Sequence, residues 1–198
     1  MKYKRNIKKF KKCGNNLITS FSSSKFSFNS ICIGNNVFIG SGAWFFADLI
    51  IGNNVMFGPH CHIIGGDHIF GILGKSNRFL KPVNNSNSRP IIIEDEVWCG
   101  ANVIFLKGVK IGMGCIVGAG SIVCEELPPF TINVGHPCKT IKKIFTDEEL
   151  WKHLQILNYS EEIIKEVIDR RNRILTEGIS LPYHFNKNEY IYLENITK

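Results

Sequence analysis

The stretch IIGGDHIFGILGK, residues 63–75, sets an imidazole, His68, directly after a carboxylate, Asp67. Imidazole titrates near neutrality, so His68 suits the task of taking a proton from a weak nucleophile such as a hydroxyl, with Asp67 fixing its tautomer. Two further histidines, His60 and His62, stand just before it and raise a second chemistry, a zinc site. Three ligands would then have to converge within about 2.1 Å of one ion. The seven cysteines, at 13, 32, 61, 99, 115, 124 and 138, form no CxxC pair and are odd in number. That pattern reads as reduced, mostly packed thiols of a cytoplasmic protein.

Which chemistry is available depends on how the chain positions these groups. An apolar residue recurs at every sixth position from Ile33 to Ile63 (Ile33, Ile39, Phe45, Ile51, Phe57, Ile63) and again from Ile93 to Val123 (Ile93, Cys99, Phe105, Ile111, Val117, Val123). Glycine follows at 34, 40, 52, 58, 100, 112 and 118, and Gly-Asn-Asn at 34–36 recurs at 52–54. Inward and outward positions alternate along a strand, and Gly and Asn reach the left-handed region cheaply, so each six-residue unit reads as a short strand followed by a corner. Three units per turn make a triangular prism in which Ile33 lies beneath Ile51, Ile39 beneath Phe57 and Phe45 beneath Ile63. An antiparallel sandwich would instead show period-two alternation and variable turn spacing. On the prism, His62 and His68 sit on adjoining faces and diverge, so no metal site is expected within one chain.

The beat stops at the histidine. By the eighteen-residue count Gly66 to His68 should lie one coil above Asp48 to Ile50, after which residues 69–90 lose the repeat and gain polar turn residues before Ile93 resumes it. An excursion of this length inside a compact repeat is usually functional. His68 stands at its root.

These units, the GGDH before the excursion, and the run IIIEDEVWCGANVIFLKGVKIGMGCIVGAGSIVCEELPPFTINVGHPCKTIKK resemble the hexapeptide-repeat acyltransferases, of the type that modifies sugars and polysaccharides. The resemblance covers residues 31–143, with its Trp-x-Gly-Ala turn, Gly-Ala-Gly-Ser turn, Pro-Pro pair and closing Gly-x-Pro-x-Lys. It implies a mainly β fold, a left-handed parallel β-helix with an inserted loop and C-terminal α-helices, and it alone supplies the handedness. It implies an acetyl-CoA-dependent O-acetyltransferase with His68 as general base and a sugar hydroxyl as acceptor. Asp48 and Asp67 would contact the acceptor or orient the base. Trp98, Gly100, Ala101 and Ala119 would line the groove for the donor, Gly100 and Ala101 offering an N–H to the developing oxyanion. Lys139 matches the family's phosphate-binding basic residue; Lys142 and Lys143 would either assist it or form a solvated edge. Cys99, Cys124, Glu125 and His136 depart from the family pattern, and Glu125, standing for a usual Lys, subtracts a positive charge from the donor site. The resemblance also implies a homotrimer with the site between adjacent prisms. Three rivals stay open: an antibiotic acetyltransferase, an amino-sugar N-acetyltransferase, and a β-helix serving as a non-catalytic scaffold.

The 198-residue chain divides, on this reading, into a basic segment 1–30, the β-helix 31–135 with its loop 69–90, a helical extension 136–178 and an aromatic-rich tail 179–198. The net charge of +7 equals the seven Lys and Arg between residues 2 and 12. With no nucleic-acid-binding fold behind it, this arm implies no nucleic-acid partner and at most peripheral contact with a membrane. No stretch approaches the roughly 18 apolar residues of a membrane span, and the N-terminus has charge without an apolar core. Thr146 and Glu149 stand in capping-box spacing ahead of one helix, and Ser160 precedes a second. These helices are expected to cover the open end of the prism or a partner subunit.

Overall fold

A computed structural model describes residues 6–66, 72–80 and 90–178. Its core is a stack of three-stranded coils. The first coil comprises β1 (Lys12–Cys13), β2 (Ile18–Thr19) and β3 (Lys25–Phe26); the second, β4 (Ile31–Ile33), β5 (Phe38–Ile39) and β6 (Trp44–Phe46); the third, β7 (Leu49–Ile51), β8 (Met56–Phe57) and β9 (His62–Ile64). The fourth comprises β10 (Ile91–Ile93), β11 (Trp98–Cys99) and β12 (Ile104–Leu106), and the fifth β13 (Lys110–Ile111), β14 (Ile116–Val117) and β15 (Ile122–Val123). A partial sixth coil holds β16 (Thr131–Val134), against which β17 (Lys139–Lys143) folds back antiparallel.

Strands at equivalent positions pair in parallel into three faces. The first is β1-β4-β7-β10-β13, the second runs from β2 through β5, β8, β11, β14 and β16 to β17, and the third is β3-β6-β9-β12-β15. The register is the one the six-residue beat dictates: Ile33 pairs with Ile51, Ile39 with Phe57 and Phe45 with Ile63. After the excursion Ile93 returns directly over Ile51, 42 residues later instead of 18. All twelve beat residues are buried in one continuous column with the intervening Val37, Val55, Val97 and Val103. Burying side chains of this size contributes about 1.5–3 kcal/mol each and is the main force holding the coils together. The cysteines are free thiols, four of them buried, and burial pushes Cys61 and Cys138 up to about 11.

The structure corrects two sequence expectations. The prism begins at Lys12, inside the segment read as a basic arm. Its first corner, Gly14-Asn15-Asn16, repeats the Gly-Asn-Asn unit, but β1 and β2 lie 20 residues from their partners and β3 lies 19, so the strict beat does not reach them. Below this coil Phe10, Phe21, Phe26 and Phe28 pack together, Phe10 and Phe28 with centroids 4.9 Å apart, and plug the open end. Within the chain the helices cover a flank and not an open end. α1 (Asp147–Ile156), which begins with the capping box of Thr146 and Glu149, and α2 (Glu161–Glu177) form a hairpin against the prism's flank. Leu150, Leu154, Ile164 and Val167 bury against Met113 and Phe130, at the corner between the first and second faces. Among the described residues, no helix is long and apolar enough to cross a membrane.

Candidate active site

The third face is bounded by two corners of opposite character. At the corner shared with the second face, the residue pairs Gly100-Ala101 and Gly118-Ala119 stack on successive coils, each followed by a residue in the left-handed region: Asn102 (φ 58°) and Gly120 (φ 71°). Glycine at 100 is dictated by close approach, since a Cβ there would lie 2.6 Å from the Ala119 nitrogen. The outermost positions carry only methyl groups, Ala101 half-buried and Ala119 exposed. Next to this strip Trp98 stands outward on the second face, half-exposed between Met56 and Ile116.

The backbone donors here are partly committed. Gly100 gives its N–H to the Val117 carbonyl and Gly120 gives its N–H to the Ala101 carbonyl, both at 2.8 Å. Among the described residues, the Ala101 N–H has no hydrogen-bond acceptor. Of the two donors expected from the sequence, only Ala101 therefore remains to face a ligand. The strip fits an extended donor such as pantetheine: it presents no bulky side chain, and Lys139 lies at its upper end.

At the opposite edge of the third face the chain reaches the excursion. Gly65 sits on Ala47, its N–H given to the Phe46 carbonyl at 2.9 Å. Asp48 is exposed, and its carbonyl accepts the Ile91 N–H at 2.8 Å. Leu49 and Ile50 are covered by Ile91 and Ile92 of the returning strand. Asp67 and His68 lie outside the described residues. Asp48 and Ala101 occupy opposite edges of one face, which a three-residue strand spans over roughly 10 Å, and they stand two coils apart along the stack. A single chain therefore keeps the acceptor-side and donor-side candidates on separate ridges. His62 lies on the face between them, its ring 5.8 Å from Trp44, while His60 sits at the donor-side corner. Among the described residues, no group of three His, Cys, Asp or Glu side chains could hold a metal ion.

The three lysines of the closing segment differ. Cys138 gives its N–H to the Ile122 carbonyl, which seats the last turn over the third face. From there the Lys139 ammonium lies 2.9 Å from a carboxylate oxygen of Glu125. That hydrogen bond and charge push Lys139 above its ordinary range. Lys143 pairs with Asp147 at 3.3 Å and donates to Asn172 at 2.7 Å. Lys142 is exposed, and among the described residues no carboxylate pairs with it. The sequence marks Glu125 as a charge change, but its engagement with Lys139 across 14 residues could not be read from spacing.

Comparison with known proteins agrees with this geometry. A family model described as the hexapeptide repeat of succinyl-transferase matches residues 90–124. A Schizosaccharomyces pombe protein named for acetyltransferase activity is 53% identical over 55 residues, 28% of this chain and 27% of its own. The matched segment thus spans under a third of that relative's length. Among solved structures, the hexapeptide-repeat acetyltransferase of Vibrio cholerae O1 biovar eltor, complexed with acetyl coenzyme A, is 28% identical with a TM-score of 0.64, covering 73% of this chain and 76% of its own. A galactoside acetyltransferase in complex with coenzyme A is 28% identical with a TM-score of 0.63, covering 72% and 70%.

Proposed function

The chain is a hexapeptide-repeat protein with the fold of the hexapeptide-repeat acetyltransferases, and from that premise we propose that it moves an acetyl group from acetyl-CoA to a sugar hydroxyl, in the cytoplasm and toward a surface polysaccharide. The observation that carries the reading is the bare strip of Gly100, Ala101 and Ala119, flanked by Trp98 and with Lys139 at its upper end, on a fold that binds coenzyme A in two similar proteins. The donor supplies an activated thioester. Trp98 and the alanine methyls would pack along its pantetheine arm, and Lys142 and Lys139 would meet its phosphates. His68 would take the acceptor hydroxyl proton as that oxygen attacks the carbonyl carbon, and return it to the departing thiolate when the C–S bond breaks. The Ala101 N–H, which has no acceptor among the described residues, would serve the oxygen that gains charge. Asp48, exposed at the root of the excursion, would accept a hydrogen bond from the acceptor, and Asp67 would hold the imidazole.

The separation of the two ridges supports assembly as a homotrimer, in which one copy's excursion edge meets the next copy's donor strip. Phe38, Met56, Trp44, Phe46 and Ile64 are large apolar side chains left exposed on the second and third faces, a pattern typical of interaction surfaces. Incubation with acetyl-CoA and a panel of sugars, nucleotide sugars, amino sugars and chloramphenicol, following free CoA thiol, tests the reading. Thiol release with a sugar hydroxyl acceptor, lost in His68→Ala, is expected. Turnover confined to the antibiotic or to amines would select a rival enzyme, and failure to bind CoA at all would leave the scaffold.

A further inference from the structure

Two of the three lysines of the closing segment are already neutralised within the chain, and the two pairs differ in what they do: Lys139, beside Val134 over Gly118, lies at the end of the donor strip, whereas Lys143, beside Thr131, lies at the far edge of the second face. Lys143 joins Asp147 and Asn172, and so ties the start of α1 to α2. The Glu125–Lys139 pair ties nothing of comparable weight: it joins the end of β15 to the start of β17, which the β16–β17 ladder and the Cys138–Ile122 hydrogen bond already hold. The Lys139 side chain is 61% exposed. An ion pair so open to solvent adds little to folding. Its electrostatic effect on an approaching anion is not small. A phosphate arriving at Lys139 comes well inside the roughly 8 Å over which salt screens charges, so it meets the Glu125 carboxylate as well as the ammonium.

We propose that Glu125 is a positioning and specificity-setting residue for the donor: by holding the Lys139 ammonium it competes with the donor's phosphates and weakens donor binding. The inference rests on the acetyl-CoA reading above. Replacing Glu125 by a neutral group frees Lys139, and replacing it by a cation adds a second positive charge beside it. A donor without phosphates is indifferent to either change.

Binding of CoA to the full chain by titration calorimetry, with KM values for acetyl-CoA and acetyl-pantetheine, tests this. E125Q is expected to tighten CoA about threefold and E125K about tenfold, each gain shrinking as salt rises, while the KM for acetyl-pantetheine stays fixed. K139Q should weaken CoA and abolish the gain from E125Q. E162Q, the same charge change on an exposed turn of α2, should leave both donors unaffected. Binding of CoA that E125Q and E125K leave unchanged, or that shifts equally for both donors, overturns the role of Glu125 while the acetyltransferase reading stands. Absence of CoA binding in the native chain and in both Glu125 variants overturns the reading itself, and this inference with it.

Discussion

The prism turns its corners with the same backbone device on two edges and covers them in opposite ways. Between the first and second faces, Asn16, Asn36, Asn54 and Glu96 occupy the left-handed region, and their side chains form a ladder. Asn35 accepts the N–H of Asn15, Asn53 that of Asn35, and Asp95 that of Asn53, at 2.8–2.9 Å. Asn16, Asn36 and Asn54 continue the chain in parallel to Glu96. The upper end of this edge is then sealed by the helical hairpin through Tyr159 and Arg170. Between the second and third faces the left-handed positions recur, but the residue before each is Ser41, Pro59, Ala101 or Ala119, and no side-chain ladder joins them among the described residues. A corner needs only the left-handed backbone. What the side chains do beyond that separates an edge that holds the stack together from an edge left bare.

The largest effect should fall on the sealed edge. Glu94 is buried, accepts both terminal nitrogens of Arg170, and lies 3.2 Å from Lys110. Arg170→Met leaves that carboxylate buried with one cation fewer and should cost roughly 3–5 kcal/mol in denaturant unfolding, while Glu94→Gln combined with Arg170→Met should recover part of the loss. On the clear edge and its partner ridge the effects should appear in turnover instead. His68→Ala should lower kcat at least about 100-fold with an unchanged melting temperature, the size expected for a lost general base. Ala119→Phe should raise the KM for acetyl-CoA roughly tenfold by filling the strip, again without loss of stability. Asn53→Ala should reverse that profile, costing about 1–2 kcal/mol of stability through the three side-chain hydrogen bonds it makes along the ladder, with KM unmoved. A stability loss for Ala119→Phe as large as that for Asn53→Ala would erase the distinction between the edges.

Acid should expose the same asymmetry. Burial pushes the Glu94 carboxyl up, but Arg170 and Lys110 beside it outweigh that and hold it down to about 2, against an ordinary 4.5. A carboxyl depressed in the folded state adds stability that is fully present above its unfolded value. That stability is lost as pH falls from about 4.5 toward 2. Unfolding midpoints measured across this window should decline in the native chain and flatten in the Glu94→Gln, Arg170→Met double variant.

The coil architecture was legible because one physical constraint, two inward side chains and a corner per six residues, repeats with little variation from Ile33 to Val123. The first coil escaped because insertions at its corners lengthen it to 19 and 20 residues, and β-strand pairing tolerates that length where a sequence count does not. The helices were legible as helices from Thr146, Glu149 and Ser160, but their docking site was not. It is set by Met113, Phe130 and the Glu94–Arg170 pair, contacts between residues up to 76 apart. Ala101 and Ala119 are assigned to the donor by family resemblance, since a small residue at a corner is by itself only a corner residue. Which N–H stays available, and which lysine is already paired, depended on three-dimensional closure at Gly100 and Glu125. Asp67 and His68 stay an inference from motif and spacing.

Ile93 resumes over Ile51 in full register although 42 positions separate them, and Asp48 and Ile91 close the junction with one backbone hydrogen bond. The junction records nothing of what was spliced between its ends. Segments of other lengths and compositions can be exchanged at this seam without retuning the column beneath, so the excursion is free to diverge as a cassette while the coils are inherited intact.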